Sequence, residues 1–310
     1  MTPASSVLLL TTLTGFGYGL LAWVGILAAF GLVPPAPLFL PVAVVVALAF
    51  ANAGLTASMA HLGHPERAWR AFSQWRSSWL SREGVASLIT FPPALAFAAL
   101  WWVLGPDAVA TRILGLIAAS LGLVTVGCTA MIYASLKPIR QWHNPHTAPD
   151  YLIFAVFSGA VLLAALWSLW FGAAAALAVA ALVAALVAAG AKFAYWRYID
   201  RQKPLVTLAS ATGLTAFGTA RPLDGPHFTE NYILREMGYQ IARKHAVKLR
   251  RIAVGLAFFV PASLALLAAF GVAPAIVTTA AALVALIGMF VERWLFFAEA
   301  THVSTIYYGR

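Results

Sequence analysis

Eight apolar runs, each long enough to cross a bilayer, fill most of this 310-residue chain and leave room for little else. A hydrocarbon core of about 30 Å takes roughly 20 apolar residues of helix at about 1.5 Å per residue. Runs at 5–32, 37–60, 84–104, 111–135, 151–170, 172–194, 252–271 and 274–291 meet that length. The expected fold is all-α: one domain, 1–310, built as a polytopic transmembrane bundle of eight helices.

The basic residues give the bundle two different faces. Connections one, three, five and seven, around Pro34, Asp107, Gly172 and Ala273, hold only Arg112 between them. Connection two holds Arg67, Arg70, Arg76 and Arg82, and connection four holds Lys137 and Arg140. Connection six, roughly 50 residues long by the span lengths expected of membrane helices, holds ten more, from Arg197 to Arg251. Lys and Arg in short connections favour the cytoplasmic side. An even number of spans then puts both termini in the cytoplasm. The first 20 residues carry no Lys or Arg, so they lack the charged start of a cleavable signal peptide, and the first run is expected to remain as a membrane helix.

Composition agrees: 62% hydrophobic and 10% charged residues leave too little polar surface to cover a soluble globule. The net charge of +10 lies beside the spans, so anionic headgroups and an acidic protein partner, rather than nucleic acid, are the expected counter-charges. Cys128 is alone in the fourth run, so the chain forms no internal disulfide and supplies no four-thiolate set for an iron–sulfur cluster. The spans read as chemically quiet, with no ionisable group expected at depth, which argues against an ion-coupled transporter or other permease. Pro92, Pro93 and Pro261 are expected to kink packing helices.

Polar chemistry gathers between the second and third runs, in HLGHPERAWRAFSQWRSSWLSREG at 61–84. Gly63 and Pro65 suit a helix stop and a new start. Trp69, Phe72 and Trp75 recur every third residue among Arg67, Arg70 and Arg76, the pattern of a short amphipathic helix in the headgroup region. Ser81 is a candidate cap for the third span, with Glu83 in its first turn facing the positive helix end. His61 and Glu83 admit two readings. One is an interfacial histidine and a carboxylate that complements a helix terminus. The other is a quinone pocket, where groups near the membrane boundary exchange hydrogen bonds and protons with a headgroup whose tail stays in lipid.

Several segments together resemble the DmsC family, the membrane anchor subunits of dimethyl sulfoxide reductase-type molybdoenzymes. They are HLGHPERAW and SWLSREG, YASLKPIRQWH at 133–143, the stretch from Ser210 to Leu214, NYILREMG at 231–238 and ERWLFFAEATHV at 292–303. The resemblance implies a bacterial inner-membrane protein with its docking face in the cytoplasm. Its implied direct partner is an iron–sulfur subunit with four clusters, joined by a molybdopterin catalytic subunit. The anchor's own cofactor would be quinone, ubiquinone or menaquinone. Of the residues implicated in that family's quinol site, a histidine and a glutamate match His61 and Glu83 here, with His64, Arg67, Trp79 and Arg82 as further candidates. Docking loops are expected near 62–83, 136–150 and 196–251. Substrate chemistry would reside in a partner, and the fourth-connection motif points to the family's sulfite-oxidising branch. Reduction of dimethyl sulfoxide or another oxyanion by menaquinol is the alternative.

All seven histidines fall on or near the basic side, whereas a transmembrane haem pair wants axial ligands at two depths. No haem is expected. The His61/His64 and His143/His146 pairs have metal-ligand spacing but no supporting cysteines or carboxylates, so no metal site is expected.

Overall fold

A computed structural model describes residues 3–60, 62–172, 175–202, 206–224 and 245–308. Eight helices in it are long and apolar enough to cross a membrane. They are α1 (Ser5–Ala29), α2 (Phe39–Met59), α3 (Trp79–Leu104), α4 (Val109–Ala134), α5 (Thr147–Phe171), α6 (Ala175–Arg201), α7 (Ala246–Ala269) and α8 (Pro274–Ala298). The only bridge between extended residues, among those described, joins Ile139 to His302.

The helices match the eight expected runs but overshoot them on the basic side. There α3, α5 and α7 start four to six residues earlier than the apolar pattern, and α6 and α8 end seven later. Hydropathy reports how deep a residue sits, whereas the backbone ladder continues for as long as nothing breaks it. On the opposite side the chain turns sharply. Left-handed glycines follow α1, α3, α5 and α7: Gly31, Gly105, Gly172 and Gly271, at φ 68°, 82°, 85° and 81°. Each stops a helix where a side chain would be strained, which keeps these connections short.

Packing divides the spans into two four-helix groups. In the first, α1 lies against α2 and α4, and α3 against both; in the second, α5, α6, α7 and α8 form a closed ring of neighbours. The groups meet mainly where α1 and α4 pack on α5, with a smaller contact between α1 and α8. Lipid tails are as apolar as leucine, so helices in a bilayer associate through close backbone approach rather than through hydrophobic burial. Small residues provide it here. A Cβ on Gly19 would collide with the Ala155 carbonyl of α5, and one on Gly159 with the backbone of Gly19. Gly17 meets α2 at Ala47 and Ala51, and Gly25 meets α4 at Gly115. Trp23 of α1 pins the same seam by donating its indole N–H to the Val156 carbonyl at 2.8 Å.

Pro261 is accommodated without a break in α7. The preceding turn, Gly255–Phe259, widens to a π-helix, the local adjustment that absorbs a missing N–H and a ring pressing on the preceding turn.

At the basic face two of the motif segments pack on each other. Trp142 donates its indole N–H to the Phe296 carbonyl at 3.0 Å, and its ring stacks on Phe296. Tyr195 donates to the Gln141 carbonyl at 3.0 Å, and Thr301 N–H reaches the Gln141 side chain. The chain after α8 thus runs beneath the fourth connection. Arg250, at the start of α7, forks onto Asp200 of α6 at 2.6 and 3.0 Å and onto Glu299 at 2.8 and 3.2 Å. It ties together the two helices that bracket the sixth connection. Of the expected helical stretch 229–251, residues 229–244 lie outside the described residues, and the remainder begins α7.

Candidate functional site

The short helix expected before α3 is present as a 3₁₀ helix, Pro65–Gln74. At three residues per turn, Trp69, Phe72 and Trp75 eclipse one another, so their three-residue spacing fits this geometry. None of its residues is buried. It is fastened to α3 at its last turn, where the Phe72 ring lies against Gly84 and the Ser81 hydroxyl donates to the Ala71 carbonyl.

Ser78, not Ser81, caps α3: it has extended backbone geometry and accepts the Ser81 N–H. This moves Glu83 out of the first turn. Five residues beyond the cap it sits about 7 Å along the axis, beyond the free N–H groups it was expected to complement. Its side chain is 4% exposed and turns toward α4. There Thr129 donates to the Glu83 carboxyl at 2.6 Å.

Further hydroxyls line the joints around it. Tyr18 of α1 and Ser87, one turn beyond Glu83, are 2.7 Å apart, and Thr90 and Thr125 bridge α3 and α4 at 3.3 Å. At the surface of the same helix end, the Arg82 guanidinium stacks over Trp79 at 4.2 Å and donates to the carbonyls of Trp75 and Arg76 at 3.0 and 2.7 Å.

The structure therefore gathers Glu83, Trp79 and Arg82 at the start of α3. His64 and Arg67 stay in the exposed segment, where Glu66 faces them at 3.0 and 3.7 Å. His61 lies outside the described residues. His143 donates to the Ala134 carbonyl at 2.6 Å, and His146 packs on Tyr198. Among the described residues no group of three or more His, Cys, Asp or Glu could hold a metal ion. A groove of about 840 Å³ between α4, α5 and α6 is lined by apolar chains such as Leu123, Ile153 and Val183 and by none of these site residues.

The expectation of quiet spans is overturned. Lys192 of α6 is 1% exposed and contacts Glu292 of α8, itself fully buried, at 2.5 Å; Arg293 contacts the same carboxylate at 2.5 Å. Aromatic faces complete the enclosure. Lys192 lies over Tyr195 and Trp196 at 4.1 and 5.0 Å, and Arg293 over Tyr151 and Phe154 at 4.3 and 5.1 Å. Asp150 of α5, also buried, is an electrostatic neighbour of Lys192, Glu292 and Arg293. Glu292 and Arg293 fall just past an apolar run and Lys192 near the end of another, so averaged hydropathy hid them. The available signal was the lone cation inside a run, which requires a counter-charge on a neighbouring helix.

Comparison with known proteins completes the identification. Residues 37–299 match the family described as DMSO reductase anchor subunit (DmsC). The chain is 34% identical to a sulfite dehydrogenase subunit of Allochromatium vinosum over 326 aligned positions, covering 99% of each protein. It is 31% identical over 117 positions to the anaerobic dimethyl sulfoxide reductase chain YnfH of Escherichia coli, covering 36% of this chain and 39% of that one. With a family match across most of its length and a relative aligned from end to end, this eight-helix membrane protein belongs to the DmsC family of oxidoreductase anchor subunits.

Proposed function

We propose that this chain is the quinone-reactive anchor of a membrane-bound enzyme that oxidises sulfite on a molybdopterin subunit and passes electrons through an iron–sulfur subunit docked on its basic face. The observation that carries the quinone role is Glu83, a carboxyl buried within a span and held by a hydroxyl from the next helix. Burying such a group is costly, and a structural role at the helix end does not account for it, because it lies beyond the first turn. The sulfite assignment rests on the full-length likeness to a sulfite dehydrogenase subunit, against a likeness to a dimethyl sulfoxide reductase chain that spans about a third of the sequence.

The donor set suits a quinone headgroup: a buried carboxyl and hydroxyl, with the Trp79–Arg82 stack and the Phe72 ring at the surface of the same helix end. Bound quinone supplies two-electron, two-proton chemistry. Glu83 would hold or give the proton at its carboxyl, Thr129 would fix that carboxyl, and Trp79 and Arg82 would orient the headgroup. Glu83 is nearly closed to solvent, so access requires a neighbour to yield. The exposed Pro65–Gln74 segment, preceded by His64, is the neighbour with least to lose. The basic connections favour a cytoplasmic docking face and an acidic partner.

The test is Glu83→Gln in the purified complex. Turnover with a soluble artificial electron acceptor should persist, while quinone-linked turnover should fall by on the order of tenfold or more. Equal rates in both assays would return Glu83 to a structural role. Iron and molybdenum should copurify with the chain in mild detergent, and a stable preparation free of both metals would remove the anchor function.

A further inference from the structure

We propose that one water molecule is buried between the two helix groups, held by Thr12 and Tyr151, and that it links the Glu83 site to the Lys192–Glu292–Arg293 cluster. A small cavity lies where α1, α4, α5 and α8 meet, and its polar lining includes Thr11, Thr12, Thr129, Tyr151, Ser158 and Arg293. Its volume is about 10 Å³, close to the minimum that admits a single water.

Two side chains ask for that water. Thr11 and Thr14 donate their hydroxyls to carbonyls one turn back in α1, at 3.0 and 2.7 Å. Thr12, between them, does not: its hydroxyl is sealed from solvent and has no hydrogen-bond partner. Across the cavity the Tyr151 hydroxyl is equally sealed. The Arg293 guanidinium beside it can donate to its oxygen but cannot accept, so the phenol's own proton has no acceptor. A buried hydroxyl without a partner is costly. Two of them lining one water-sized space are satisfied together by a single water.

The geometry also gives the link a direction. Thr129 has one hydroxyl proton for two acceptors, the Glu83 carboxyl at 2.6 Å and the Thr125 carbonyl at 3.1 Å, and its oxygen keeps lone-pair capacity to accept. A water that accepts from Tyr151 and Thr12 can donate to Thr129, so donors run from Tyr151 through the water and Thr129 to the Glu83 carboxyl. Chains of this kind strengthen each bond within them. Tyr151 and Thr12 are therefore positioning residues that act on Glu83 through Thr129. Their effect on turnover rests on the quinone role proposed above; the water site does not.

The experiment uses Thr12→Val and Tyr151→Phe in the intact complex. If the cavity is dry, each substitution replaces an orphaned hydroxyl with an apolar group of similar shape, and the melting temperature should rise. If water is bound, each strips a partner from it and the melting temperature should fall, with Thr12→Ser restoring it. A second readout is the Glu83 carboxyl stretch in infrared difference spectra between acid and alkaline buffers, identified by its loss in Glu83→Gln. Tyr151→Phe should shift this band. Higher melting temperatures in both variants with an unmoved band overturn the proposal. Undiminished quinone-linked turnover in Glu83→Gln would instead remove the quinone role and leave these two readouts to decide the water.

Discussion

Gly19 of α1 and Gly159 of α5 meet backbone to backbone, so closely that a Cβ on either would overlap the other helix. This contact lies on the seam between the two helix groups, as does the small cavity bordered by Thr12, Thr129, Tyr151 and Arg293. Nothing flexible lies opposite either glycine, so the helices could make room only by separating.

Gly19→Leu should therefore abolish the monodisperse, detergent-extracted protein. Gly190→Ala on α6, where a Cβ would meet nothing within 4 Å, should behave as wild type. Size-exclusion profiles of the two variants check this. Normal extraction of Gly19→Leu would show that the seam is not set by close backbone approach.

The Lys192–Glu292–Arg293 cluster predicts an asymmetric response to mutation. Glu292→Gln leaves two buried cations without the carboxylate they share, a loss of roughly 3–5 kcal/mol by the usual cost of breaking a buried pair. Lys192→Met leaves Arg293 and Glu292 paired and puts an apolar chain against Tyr195 and Trp196, so it should be clearly milder. Thermal unfolding of the solubilised complex measures both. Equal losses would mean that the three groups do not share one carboxylate.

How legible these features were depended on whether they are local. The eight spans follow from run length, because a bilayer imposes one thickness on every helix. Helix ends at the basic face do not, since polar residues such as Asp150 and Arg197 continue the ladder past the apolar run. Ser78 and Ser81 are both good caps by residue type, and only backbone geometry selects Ser78. That choice moves Glu83 from a helix terminus to an interhelical joint with Thr129, 46 positions away. Lys192 and Glu292 are 100 residues apart in sequence, and no periodicity within either helix reports the other.

Thr129→Val tests the joint at Glu83 directly. It keeps the branched shape, removes the donor at 2.6 Å, and should cost about 1.5–3 kcal/mol if the carboxyl is ionised there. Thr129→Ser retains the hydroxyl and should recover most of that loss. If Thr129 fixes the carboxyl for quinone chemistry, Thr129→Val should also slow quinone-linked turnover while sparing the soluble-acceptor assay. Loss of stability with an unchanged ratio of the two activities would confine the pair to packing.

Sidedness decides where the soluble partners sit. Reporter fusions after Arg140 and after Gln202 should report the cytoplasm, and one at Asp107 the outside, because basic residues gather in the even-numbered connections while Arg112 stands alone in the odd ones. The same experiment bears on the proposed substrate: a cytoplasmic docking face would fit the proposal that sulfite is oxidised inside the cell, with electrons leaving toward the membrane. An external signal at Gln202 would invert the bundle, place the iron–sulfur and molybdopterin subunits outside, and favour an exported reductase that draws electrons from quinol.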